Sequence, residues 1–266
     1  MSNVLGGGFK SYLNKIWDYR EFVKNDTLAK LKIRHKGTTL GYLWWLLDPL
    51  LFMGIYILIV QIIFKRGGPD YPLFVFLALL SWRWFSSTLN DSSNSIRIRE
   101  RLIKEIYFPK IILPLSFVFA NIINFSFGLI LLFIVIIIFK VNFTIYFLFF
   151  PLIVLIQLLF TMGLSLIVAH LTVFFKDISN ILRYSLQIWF FLSPGIYSSD
   201  LIPDKFNLIY SLNPFYTLFN SYRDSIMYAQ LPNLFALGII FIVSLALIFI
   251  GAKIISKSEG NYAKIL

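Results

Sequence analysis

Residues 111–139 read IILPLSFVFANIINFSFGLILLFIVIIIF, 29 residues without a charged side chain. A helix that crosses the hydrocarbon core of a bilayer needs about 20 mostly apolar residues. This stretch exceeds that length, with enough surplus to tilt or protrude. Working outward from it, five further apolar stretches stand at Tyr42 to Phe64, Tyr71 to Leu89, Phe143 to Val173, Ile181 to Tyr197 and Leu234 to Ile255. Inside lipid every backbone polar group must find its partner within the segment, so each stretch is expected to be helical. The sequence predicts an all-α integral membrane protein with six transmembrane helices.

Composition agrees. Hydrophobic residues make up 58% of the 266 residues and charged residues 14%, and the mean hydropathy is +0.78. Soluble domains run near 45–50% apolar and about 25% charged, so an ordinary soluble or a disordered chain is excluded. Cysteine is absent, which removes disulfides, thiol nucleophiles and thiolate metal sites. The two histidines, His35 and His170, lie far apart, and no metal centre is expected.

The net charge of +11 has a membrane explanation. With the N-terminus placed inside, the inner segments hold eighteen Lys and Arg and the outer segments five, with Arg83 inside the second stretch. Basic residues collect on the cytoplasmic side, so both termini are expected there. No soluble domain is present to carry a nucleic-acid interface, so no nucleic-acid partner is expected.

Two regions follow. Residues 1–41 form an amphipathic segment: Phe9, Tyr12, Leu13, Ile16 and Phe22 recur at helical spacing among Lys10, Lys15, Arg20 and Lys24. Such a helix lies in the membrane interface, and no uninterrupted apolar core of a signal peptide is found there. Residues 42–266 form the six-span domain. Within it, about 95–107 is a short cytoplasmic helix, ended by Pro109, with Glu100–Lys104 and Arg101–Glu105 at i,i+4 spacing. The segment of about 198–233 holds Pro203, Pro214 and Pro232 yet stays apolar, with Phe206, Leu208, Ile209, Phe215, Leu218 and Phe219. It is expected to form two re-entrant helices on the outer side, between spans five and six.

Several motifs now stand in order: Lys30 through Leu50 with Leu40-Gly41-Tyr42-Leu43-Trp44 at its centre; Tyr107-Phe108-Pro109-Lys110 through Pro114; Phe174-Phe175-Lys176-Asp177-Ile178; Ser193-Pro194-Gly195-Ile196-Tyr197; Leu212-Asn213-Pro214-Phe215; and Ser221-Tyr222-Arg223-Asp224. Together they resemble the ABC-2 type permeases of polysaccharide exporters, the membrane subunits for O-antigen, teichoic acid and capsular polysaccharide. The resemblance covers nearly the whole chain. It implies a half-transporter of the bacterial cytoplasmic (inner) membrane that pairs with a second copy of itself and with two copies of an ABC ATP-binding subunit. Its substrate would be a lipid-linked polysaccharide. ATP and Mg would be bound by the partner, and this chain would hold no cofactor. The sequence has no Gly-x-x-x-x-Gly-Lys-Ser/Thr phosphate loop, so the chain is read as a transporter subunit and not an enzyme.

Four groups of residues are candidates for that work. Arg97, Arg99, Glu100, Arg101, Lys104 and Glu105 are placed for coupling to the ATPase, through a charged docking helix. Arg34, His35, Lys36 and Gly41 are placed to admit a lipid pyrophosphate headgroup, which suits the forked donors of arginine. Tyr42, Trp45, Phe52 and Tyr56 share a face of span one. With Arg83, Tyr184, Gln187 and Phe191 they are candidates for lining a channel, since aromatic faces pack on sugars and buried polar groups need water or partners. Asp48, near the inner end of span one, is expected to be hydrated at the interface. Pro194, Gly195, Tyr197, Asn213 and Pro214 are candidates for an outer gate, because they interrupt helices. Two rival readings stay open: a permease of the same class for drugs or small lipids, and a membrane-embedded acyl- or glycosyltransferase. The second would need a carboxylate or histidine cluster at one membrane face, and Asp91, Glu100, Glu105, Asp177 and His170 are scattered.

Overall fold

A computed structural model of the chain describes residues 16–34 and 39–266, without the side chains of Arg34 and Tyr42. The described residues form helices and turns, with no strand among them. In chain order the α-helices are α1 (Arg20–Arg34), α2 (Trp44–Ile57), α3 (Tyr71–Ser93), α4 (Glu100–Glu105), α5 (Ile112–Ile138), α6 (Phe150–Phe174), α7 (Ile178–Phe191), α8 (Asn207–Ser211), α9 (Pro214–Ile226) and α10 (Leu234–Ile265). A π-helical turn, Leu58–Ile63, prolongs α2, and a 3₁₀ turn, Ile145–Phe149, leads into α6.

Among the described residues, five stretches are long and apolar enough to cross a membrane: Trp44–Ile63, Tyr71–Glu105, Ile112–Ile138, Ile145–Phe174 and Leu234–Ile265. They match five of the six predicted spans. The stretch expected at Ile181 to Tyr197 differs: α7 has 14 residues and stops at Phe191. At 1.5 Å per residue that is about 21 Å, against a hydrocarbon core of about 30 Å. The chain turns at Ser193-Pro194-Gly195, where proline supplies no N–H to continue the helix. The predicted last span ends near Ile255, whereas α10 continues to Ile265.

α3 is the central element. One of its faces carries Val75, Trp82 and Phe85, packed against Phe160, Phe190, Phe215 and Phe219. Its other face carries Phe76, Leu80 and Trp84, packed against Phe125, Leu132 and Ile136 of α5. Trp82 and Phe85 each lie 4.6 Å, centroid to centroid, from Phe215. A third cluster, with Ile96, Phe108, Ile112, Leu166, Ile255 and Tyr262, closes the end of the bundle that carries α4.

Hydrophobicity does not drive helices together in lipid, so close packing and buried hydrogen bonds must. α6 and α10 meet at two glycines. A Cβ on Gly163 would stand 2.7 Å from Leu247 Cβ, and one on Gly251 would stand 2.7 Å from Leu166 Cβ. Gln157 of α6 is fully buried and ties three helices. Its Nε2 donates to the Ser81 carbonyl at 2.8 Å, and its Oε1 accepts from Ser81 Oγ at 2.8 Å and from the Tyr222 hydroxyl at 2.9 Å.

The segment of 198–233 does contain two α-helices, α8 and α9, but they differ in placement. Leu208, Ile209 and Leu212, in and just after α8, are exposed, whereas Phe215, Leu218, Phe219 and Tyr222 of α9 are buried. α1 lies across α5, with Leu31 and Thr27 buried, and Thr27 Oγ1 donates to the Ser116 carbonyl at 3.3 Å. The rest of the amphipathic pattern, at Phe9, Tyr12 and Leu13, lies outside the described residues.

Candidate functional site

The turn after α7 leaves three successive carbonyls, of Pro194, Gly195 and Ile196, outside any helix. Such groups, when buried, need donors. Arg223 of α9 supplies two of them: Nη1 donates to the Pro194 carbonyl at 2.7 Å and Nη2 to the Gly195 carbonyl at 2.7 Å. The Tyr71 hydroxyl donates to the Ile196 carbonyl at 3.1 Å. Arg223 also donates through Nε to the Phe74 carbonyl at 3.4 Å, and its guanidinium sits 3.4 Å from the centroid of the Phe74 ring. Its exposure is 1%, and it forms no ion pair among the described residues. The cation is therefore solvated by backbone carbonyls and an aromatic face.

Asn213 completes this junction. Its Oδ1 accepts from the Phe215 amide and from Trp189 Nε1, each at 3.0 Å, and its Nδ2 donates to Ser193 Oγ at 2.8 Å. It is the N-cap of α9, with Pro214 in the first turn. A Cβ on Gly195 would stand 2.8 Å from the Phe190 ring, so only glycine fits without displacing that ring. The structure thus brings together Pro194, Gly195, Asn213 and Pro214 of the predicted gate. Tyr197 lies in the adjoining turn, its hydroxyl 3.1 Å from that of Tyr210. Sequence reasoning missed Trp189, and Ser193 and Arg223 entered it only as members of the quoted motifs. The signal for Arg223 was a cation in an otherwise apolar stretch.

The predicted channel residues divide into two groups. Arg83 Nη2 donates to Asp48 Oδ2 at 3.0 Å, and its guanidinium lies 4.5 Å from the Phe52 ring. Trp45 packs on Phe127 at 4.5 Å, and the two sides enclose a cavity of about 90 Å³ with Asn121 and Asn124. Asp48, expected to be hydrated at the interface, keeps 48% of its side chain exposed and also has a cationic partner from α3. Tyr56 packs on Phe190 with centroids 6.1 Å apart. The second group, Tyr184, Gln187 and Phe191, lies on the exposed face of α7. The side chain of Tyr42 lies outside the described residues.

The predicted coupling segment is not one helix. Arg97–Arg99 is a 3₁₀ turn and α4 follows, with Ile103 buried and Ile98 and Ile106 exposed. Lys104 Nζ donates to Glu100 Oε1 at 2.6 Å, as the spacing predicts, and this hydrogen bond holds the Glu100 carboxyl below its usual range. Arg101 and Glu105 form no ion pair among the described residues. Arg99 Nη2 donates to Asp26 Oδ1 at 2.7 Å, and Lys30 donates to the other oxygen of the same buried carboxylate. Burial lowers the Lys30 ammonium pKa, against the opposing pull of Asp26. Asp26 was missed, although its i,i+4 spacing to Lys30 was readable. Of the proposed headgroup residues, His35, Lys36 and the Arg34 side chain lie outside the described residues. Gly41 has φ +47, a left-handed backbone that favours glycine.

Comparison with known proteins connects these regions. The family described as ABC-2 type transporter matches residues 34–227. An O-antigen export system permease protein, RfbA, of Myxococcus xanthus is 32% identical over 254 residues, covering 95% of this chain and 98% of the relative. The protein of the same name from Klebsiella pneumoniae is 31% identical over 241 residues, covering 90% and 93%. The match runs through the junction at Arg223, the Arg83 pair and the Arg97–Glu105 segment alike, and the chain belongs to the ABC-2 type transporter family.

Proposed function

We propose that this chain is the permease subunit of an ATP-driven exporter that moves a lipid-linked polysaccharide, of the O-antigen or teichoic acid kind, across the bacterial cytoplasmic membrane. The observation that carries this reading is similarity from end to end with O-antigen export permeases, 95% of this chain against 98% of the relative. The chain would make no covalent change to its substrate. Two ATP-binding subunits would bind at Arg97–Glu105, and their closure on ATP would shift the permease between states.

A second copy would complete the channel. α2 and α7 support this: α2 leaves Leu51, Phe52, Ile55 and Leu58 exposed, and α7 leaves Tyr184 and Gln187 exposed beside Ile188 and Phe191. Polar side chains on an exposed face at membrane depth call for water or a partner. In this reading α7 with its turn counts as the fifth of six spans, α1 rests in the interface, α8 and α9 form the outer gate between spans five and six, and both termini are cytoplasmic. Arg34 to Lys36 and Gly41 would meet the lipid pyrophosphate.

The test is affinity purification of the tagged chain from native membranes in mild detergent, joined to a deletion strain assayed for surface polysaccharide. Stoichiometric recovery of an ATP-binding subunit and loss of surface polymer are expected. Repeated recovery of the chain alone, with normal surface polymer, overturns the reading.

A further inference from the structure

We infer that the end of the bundle remote from α4 holds one zwitterionic phospholipid with a primary ammonium headgroup. A cavity of about 1090 Å³ opens there, lined from the segments 60–74, 139–142, 196–201 and 227–229. Small-molecule pockets run near 300–1,000 Å³, so the space admits a headgroup, a glycerol unit and the upper part of the chains.

Its depth is apolar, lined by Leu73, Phe74, Phe139 and Met227. Its rim carries two cations, Arg66 and Lys140, and two carboxylates, Asp70 and Asp200. These four come from three separate loops, and none forms an ion pair among the described residues. Asp200 does accept from Ser198 Oγ at 2.8 Å. Charged loops at a span end meet the headgroup layer, and the cavity faces it with both signs over an apolar floor.

A ligand that satisfies this arrangement carries one phosphate and one ammonium on an apolar body. An anionic lipid such as phosphatidylglycerol would bring the carboxylates hydroxyl donors but no positive charge, and charge-assisted hydrogen bonds are the stronger ones. A quaternary ammonium lipid would offer charge but no N–H, whereas hydrogen bonds between ionised partners are the strong ones. A neutral sugar chain would hydrogen-bond the four groups without compensating their charges. The cavity also touches the gate junction, since Tyr71 and Ile196, which line it, are joined by a hydrogen bond and Phe74, which also lines it, accepts from Arg223. Lipid occupancy would therefore brace the turn at Pro194.

The full chain, purified and stripped of lipid by prolonged detergent washing, is exposed to equal amounts of palmitoyl-oleoyl phosphatidylethanolamine, phosphatidylcholine and phosphatidylglycerol. Retained lipid is read by native mass spectrometry. One ethanolamine lipid per chain is expected, retained at least fivefold over the other two. Asp70→Asn with Asp200→Asn is expected to bring ethanolamine and choline lipids within twofold of each other. Arg66→Gln with Lys140→Gln is expected to lower retention of all three at least fivefold. All four residues are exposed, and gel filtration checks that the variants fold. Equal retention of the three lipids by the unaltered chain overturns the proposal, as does retention unchanged in both double variants. So does crosslinking of a photoreactive residue at Met227 to polysaccharide instead of lipid. The result does not depend on what the chain exports.

Discussion

Arg99 and Asp26 are 73 residues apart and meet at 2.7 Å, joining the segment that precedes α4 to the helix that lies across α5. The Asp26 side chain is 6% exposed and also takes the Lys30 ammonium. Phe22 and Phe108 add a second contact, with ring centroids 6.1 Å apart. α1 and the proposed docking segment are thereby held as one body. Asp26→Asn leaves Arg99 and Lys30 facing each other without a carboxylate. Because Arg99 is partly exposed, the expected loss is moderate, about 1–3 kcal/mol. ATP hydrolysis by the assembled complex is expected to persist while export falls several-fold, and Asp26→Glu should restore much of it. Equal loss of hydrolysis and export would show a purely structural role.

Arg223 makes its bonds to carbonyls, so a change of donor geometry should be felt directly. Lysine keeps the charge but not the fork that spans Pro194 and Gly195. Arg223→Lys is expected to destabilise the protein by about 1–3 kcal/mol, and Arg223→Leu by more, since each buried acceptor left bare has its own cost. The thermal midpoint in detergent checks the order: unaltered, then lysine, then leucine.

The α6–α10 contact predicts a steric effect. Gly163→Val and Gly251→Val each place atoms where a neighbour already stands within 2.7 Å. Overpacking of this kind costs about 1–3 kcal/mol, and the double variant should exceed either single one. Gly238 of the same helix has open space around its Cβ position, so Gly238→Val is the control and should change the midpoint little.

The exposed face of α7 predicts an accessibility pattern. The chain has no cysteine, so single cysteines report without background. Tyr184→Cys and Gln187→Cys are expected to react with a water-soluble maleimide in membranes, and Leu186→Cys, whose native side chain is 4% exposed, is expected not to. Protection of positions 184 and 187 in the assembled complex, with reactivity when the chain is alone, would map the contact with a second copy. No labelling at either position in either state would count against a wet path along this helix.

The i,i+4 bond between Lys104 and Glu100 predicts a weak effect. Its donor and acceptor side chains are 45% and 46% exposed, and solvent-exposed helix pairs of this kind contribute little to stability. The Glu100 carboxyl is held below its usual range, so this contribution is present at neutral pH and fades as pH falls through that lowered value. Glu100→Gln should leave the midpoint nearly unchanged at pH 7. A larger loss of ATPase binding than of stability would assign the residue to docking.

Local features were legible. The apolar run of residues 111–139, the helix break at Asn213-Pro214 and the Glu100–Lys104 pair each depend on neighbours within a few turns, and each is found where the sequence places it. Faces were much less so. Leu208 and Phe215 look alike in sequence, yet one is 74% exposed and the other fully buried. In lipid, apolar side chains suit the outside of the bundle as well as its inside, so hydrophobicity no longer tells the two apart. The same ambiguity hid the Asp48–Arg83 pair, whose partners come from different helices.

By itself the sequence determined that this chain lives in a bilayer and roughly where its long apolar helices lie, because hydrocarbon leaves the backbone few ways to satisfy its own hydrogen bonds, and it showed which family motifs the chain carries. Only the tertiary structure decided that α7 stops at Phe191, that Arg223 holds the turn beyond it, and that Asp26 joins α1 to Arg99. Those contacts join residues 28 to 73 positions apart, and what brings them together is the packing of whole helices, which no local pattern encodes.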